Sequence, residues 1–270
     1  MSRIPGGSYG ALMAGQSIYD RSATPCTAVG TRLPMGDRVF YYAKVAGTVA
    51  RGYLLAPDTS VAGPWAVAVD GACVAITAAN SRLGDKTAIT AALAVGDRRV
   101  GVTHASYLAG VTAGMLKDGY IMLTDTGGEQ QIYKIKDNTA VSSVTANVVE
   151  ILLYDEVRVA TTDATCSVSI MPNPFMNLVG ADAAVDEAPA GVAMAVGTTT
   201  YPYIWVQTWG PCVVSTHTST AHAGTNMVMN TTVNTATIET TGDILPVIGF
   251  GLSDSATAGD GAFVSLRIYP

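Results

Sequence analysis

The sequence predicts an all-β protein, with short-stranded β-barrel or sandwich domains preceded by an extended N-terminal arm. Three observations carry this expectation. Turn-forming Gly, Pro, Asn and Asp recur about every ten residues, the stretches between them are rich in Val, Ile, Thr and Tyr, and several of those stretches alternate apolar with polar residues. Alternation of that kind is the two-residue period of a half-buried strand.

Taken in order, residues 1–35 hold Gly, Pro and Ser without a sustained period and read as an arm. Gly36-Asp-Arg38 introduces a strand at 39–44, and Asp70-Gly71 divides 65–69 from 73–77 as a hairpin turn does. Two stretches have helical potential. Residues 87–95 are ambiguous between helix and buried strand, and in 112–118 Thr112 is placed to cap a single turn. Residues 119–124 and 130–136 form a hairpin across Asp125-Thr-Gly-Gly-Glu129, with Gln131, Tyr133 and Ile135 on one face, and strands follow at 148–154 and 165–171. Pro172 and Pro174 end the last of these, and 180–189 is small, acidic and aperiodic. The expected organisation is therefore an arm (1–35), a β-rich domain (36–172), a linker (173–189) and a small β-barrel domain (190–270). The last contains strands at 191–196, 203–208, 212–215, 246–252 and 262–268, and closing them into a barrel would remove exposed sheet edges.

Charge is scarce. Asp, Glu, Lys and Arg make up 13% of the chain, about half the usual ~25%. The 51 residues from 188 to 238 contain none of them. A buried unpaired charge costs several kcal/mol, whereas Thr and Asn need only a hydrogen-bond partner. A stretch that avoids charge for so long is suited to the interior or to another protein's surface. A membrane span needs roughly 20 apolar residues in a row, and Thr198-Thr-Thr200, Gln207-Thr208 and Gly210-Pro211 interrupt every apolar run. No membrane partner is expected. The N-terminal apolar run, Ala11-Leu-Met-Ala14, is too short for a signal peptide, so synthesis in a cytoplasm is expected. The net charge of −6, with Arg98-Arg99 as the best basic cluster, disfavours nucleic acid.

The residues that carry chemistry are few. His217 and His222 have no carboxylate within fifteen residues, and His104 has only a neighbouring strand-borne Ser. Neither arrangement supplies the third group that metal binding or acid–base work needs. Asp182, Asp186 and Glu187 lack the alternating pattern of a calcium loop. Cys26, Cys73, Cys166 and Cys212 stand far apart in apolar surroundings and read as free thiols. No catalytic residue, metal or cofactor is expected. In Tyr201-Pro-Tyr-Ile-Trp-Val-Gln-Thr-Trp-Gly-Pro-Cys212, Trp205 is assigned to the core and Tyr201, Tyr203 and Trp209 to a contact surface. Ile18 and Tyr19 of the arm, and Met227, Val228 and Met229 amid Thr and Asn, complete the expected interface.

Gln16-Ser-Ile-Tyr19, the segment 29–44 and Ala50-Arg-Gly-Tyr-Leu-Leu55 together resemble the opening of structural proteins of tailed-bacteriophage virions. The layout from 191–196 through Trp205-Val-Gln-Thr-Trp-Gly-Pro-Cys212 to 247–252 and 263–267 is similar to that of small β-barrel capsid decoration (cement) proteins. The resemblance touches about half of the chain and leaves 63–172 uncovered. It implies a non-enzymatic protein on the capsid surface that binds the major capsid protein and itself, with a trimer favoured. The alternative is a carbohydrate-binding adhesin or a tail or fibre module, which would carry exposed aromatics in a polar groove.

Overall fold

The structure is a computed structural model. It describes residues 17–57, 87–89, 92–103, 111–124, 130–140, 148–161, 166–171, 173–181, 188–216, 223–230, 235–238, 246–253 and 261–269. The expected hairpin at 65–77, Cys73, all three histidines, and Asp182, Asp186 and Glu187 lie outside these residues. The described chain is all-β, in antiparallel curled sheets, and contains no helix. The two stretches with helical potential resolve otherwise. Residues 87–89 form a strand, and 112–119 form successive turns, closed by Met115 N–H to Thr112 O (3.2 Å) and Gly119 N–H to Leu116 O (3.1 Å).

The chain divides into two compact units, one of them discontinuous: residues 1–57 with 174–270, and residues 58–173. This corrects the expected boundaries. In the first unit, β1 (Arg32–Met35), β2 (Arg38–Lys44) and β3 (Leu54–Pro57) join β10 (Leu178–Gly180), β11 (Gly191–Ala193), β12 (Tyr203–Ser215), β13 (Asn226–Met229), β14 (Ala236–Ile238), β15 (Val247–Gly251) and β16 (Gly261–Arg267) in one ten-stranded sheet. Among the described residues the C-terminal strands thus form no barrel of their own. They lean on strands from the opposite end of the sequence: β12 pairs with β2 from Tyr203↔Lys44 to Trp209↔Val39, and β11 pairs with β3.

The expected arm and linker are also corrected. Ile18 is buried, Ser22 exchanges backbone hydrogen bonds with Tyr203 (3.0 and 3.2 Å), and β1 pairs with β2, so 17–35 is part of the sheet's own structure. Within the expected linker, Phe175 is buried and stacks on Tyr41 at 4.4 Å, and β10 pairs with β3. Apolar side chains at these positions recover burial energy that a linker would forgo.

The second unit is a closed barrel in the order β4 (Thr87–Ile89), β5 (Arg99–Thr103), β8 (Val148–Leu153), β7 (Gln130–Asn138), β6 (Tyr120–Thr124) and β9 (Ser167–Met171). The β6–β7 hairpin holds the expected register, with Met122 opposite Ile132 and Thr124 opposite Gln130. Tyr133 and Ile135 point into a core with Leu123, Val149 and Ile151, while Ile132 is two-thirds exposed on the outer wall.

The sheet of the first unit is apolar on both faces. Trp205, Tyr42, Leu54 and Val192 pack on one side, and Ile204, Val206, Ala43 and Leu55 pack on the other. Met227, Val228 and Met229, expected at an interface, are wholly buried, and Ile18, also expected there, is buried too. Three consecutive buried residues mean that both faces of β13 are covered.

These positions yield a prediction. Val228→Asp places a carboxylate where nothing compensates it and is expected to cost more than about 3 kcal/mol of folding stability. Trp205→Ala is expected to cost about 3–5 kcal/mol. Denaturant unfolding of both variants checks this; parent-like stability for Val228→Asp would return that position to the surface.

A candidate contact face and cavity on β12

β12 is thirteen residues long, where sequence reasoning placed two strands broken at Gly210-Pro211. The chain does not break there because Gly210 adopts φ +82, a conformation open to glycine, and a Cβ at that position would lie 2.2 Å from the Asp37 carbonyl oxygen. The register against β2 shifts between Gln207 and Trp209. Such a bulge moves later side chains to the opposite face. Trp205 points into one core, and after the shift it is Cys212 and Val214 that point into that same core. Trp209, Pro211 and Val213 are thrown outward.

The buried amide of Gln207 holds the bulge. Its Nε2 donates to Trp209 O (3.0 Å) and to Pro211 O (2.8 Å), which fixes the orientation of the carboxamide. Its Oε1 is buried without a hydrogen-bond partner, as is Trp205 Nε1.

The outward face continues onto β16 and β15. Val213 pairs with Phe263, Pro211 with Ser265 and Trp209 with Arg267, while Phe250 of β15 pairs with Ser265. Trp209 is 36% exposed, Val213 45% and Phe263 55%. Arg267 lies over the Phe250 ring at 4.7 Å. No carboxylate stands among these outward residues.

Beside this face, β2, β11, β12 and the 51–52 turn enclose a cavity of about 550 Å³, lined by Tyr19, Arg38, Arg51, Gln207, Cys212 and Phe263 among others. Arg51 lies over the Tyr19 ring and Arg38 over the Phe40 ring, each at 5.2 Å. Among the described residues, the only ion pairs are Arg98–Glu156 and Arg99–Glu150. Burial raises the Cys212 thiol pKa from the ordinary 9.0 to about 12, against the opposing pull of a backbone hydrogen bond from Val213 and of the Arg38 charge. A thiol so held is a poor nucleophile. Among the described residues, no group of three His, Cys, Asp or Glu is placed to hold a metal ion.

Of the expected interface residues, Tyr19, Tyr201 and Trp209 are exposed and Tyr203 is half-buried, stacking on Tyr42 at 6.0 Å. Tyr19 lines the cavity, Trp209 lies on the outward face, and Tyr201 stands apart with Arg21 over its ring at 4.9 Å. Sequence reasoning missed Val213, Phe263, Arg38, Arg51 and Gln207. One signal was present: Gly261-Ala-Phe-Val-Ser-Leu-Arg267 is apolar at Ala262, Val264 and Leu266 and carries Phe263 on the other parity.

Comparison with known proteins finds no match among family models, curated proteins or solved structures.

The thiol provides a test of this geometry. Native protein treated with iodoacetamide at pH 8 is expected to leave Cys212 unmodified by peptide mapping, and denaturation should expose it. Because the folded thiol binds its proton more tightly than the unfolded one, its contribution to stability is complete below 9.0 and is lost as pH rises from there through about 12. Native labelling as fast as in denaturant would contradict the burial.

Proposed function

We propose that this protein is a non-enzymatic virion structural protein of the tailed-phage decoration type, docking on the major capsid lattice and stabilising it. The outward face of β12 and β16 carries this reading. A sheet that exposes Trp209, Pro211, Val213 and Phe263 side by side, without a carboxylate among them, presents the aromatic-rich and charge-poor composition of interface cores. The low charge of the whole chain and the resemblance of its two ends to virion proteins support the same reading. Weak individual contacts suffice, because many copies on a repeating lattice act together. A second copy of the chain is the other partner under this proposal, with a trimer as the favoured state.

The test is a mass-spectrometric inventory of purified particles, in which the chain is expected at a fixed ratio to the major capsid protein. Phe263→Asp is expected to lower particle binding at least about tenfold while leaving the melting temperature close to that of the parent, since Phe263 is largely exposed. Absence of the chain from washed particles would overturn the proposal.

A further inference from the structure

The cavity beside the outward face gathers features that the docking reading alone does not use. Two guanidinium groups, Arg38 and Arg51, line it together, and among the described residues neither has a carboxylate within ion-pairing distance. Each lies over an aromatic ring at 5.2 Å, and among the described residues the N–H donors of neither guanidinium have a hydrogen-bond acceptor. Asp20 and Asp37 adjoin Tyr19 and Arg38 in sequence, but Asp20 accepts from the Ser17 N–H (2.6 Å), and among the described residues neither acid pairs with an arginine. The Gln207 carboxamide also lines the cavity. Its nitrogen is committed to two strand carbonyls and its buried oxygen has no donor. Pro211, Val213 and Phe263 add an apolar wall.

We propose that this cavity binds an extended peptide segment bearing a carboxylate. The acid engages Arg38 and Arg51, a main-chain N–H supplies the donor that Gln207 Oε1 lacks, and the flanking apolar residues lie on Pro211, Val213 and Phe263. Guanidinium edges match a planar carboxylate with two parallel hydrogen bonds. They match phosphate too, but a phosphate has neither an N–H for Gln207 nor an apolar group for the wall. A buried amide oxygen without a donor is costly, so a ligand that fills it gains specificity. The inference names the chemistry of the protein partner, and rests on the docking reading for the partner being a capsid protein.

The experiment is calorimetric titration of the full chain with three probes: acetyl-Ala-Leu-Asp-Leu-Ala-amide, its Asn counterpart, and inorganic phosphate. The Asp peptide is expected to bind at least about tenfold tighter than the Asn peptide, and Arg38→Met and Arg51→Met are each expected to lose about tenfold. Melting temperatures of both variants are measured alongside, so that loss of the fold is not taken for loss of the site. Equal affinity for the Asp and Asn peptides, phosphate competing as well as the peptide, or no binding at millimolar peptide would each overturn the proposal. A chain found in particles yet indifferent to the Asp peptide overturns the site and leaves the docking reading standing. A chain that binds the peptide but is missing from particles supports the site and overturns that reading.

Discussion

The bulge between Gln207 and Trp209 is the constraint on which the first unit depends. β12 pairs with β2 and β11 along its first half and with β16 along its second. A strand of strict two-residue period would carry the Trp205 face onward through Gln207 and Trp209 into the core. The one-residue slip, permitted by Gly210 and held by the Gln207 amide, turns Trp209, Pro211 and Val213 outward and keeps Cys212 and Val214 inside. A single irregularity in the backbone thus separates the part of the strand buried on both faces from the part with one face bare.

The bare face and the cavity have the same origin. Where β12 bends, Ala193–Met194, the 51–52 turn and the start of β2 border a hollow instead of packing flush, and the two arginines enter it. The hollow is polar at its arginines and apolar along Val213 and Phe263, and it adjoins the outward face through those last two residues. A partner segment laid across the face would therefore meet the apolar stripe and the cationic cavity together. This continuity is why a docking role and a carboxylate site are proposed for one region of the molecule.

Local pattern carried the individual strands well. The β6–β7 hairpin, the inward Tyr133 and Ile135, the β15–β16 pair and the buried Trp205 all follow from alternation and turn chemistry. The discontinuous unit was not legible, because pairing such as Tyr203 with Lys44 joins residues distant in sequence and leaves no local periodic trace. Met227-Val-Met229 was misplaced for a related reason: amid Thr and Asn it resembles a surface loop, yet pairing on both edges with β14 and β15 buries it. The outward face depends on the parity slip, which needs the positive φ at Gly210 and cannot be inferred from residue order. Phe263 lies on the outward parity of an otherwise alternating strand, so its exposure, like that of Tyr201 and Trp209, has a trace in the residue order.

Native-state hydrogen exchange along β12 tests most directly whether this strand is the shared spine of the unit. If the Gln207 bulge couples the two halves, amides of Ile204 and Val206 and those of Cys212 and Val214 should exchange with the same free energy, near that of global unfolding. If the second half opens at markedly lower free energy while the first stays protected, β12 is two independent strands, and the account of a bent spine presenting one bare face is contradicted.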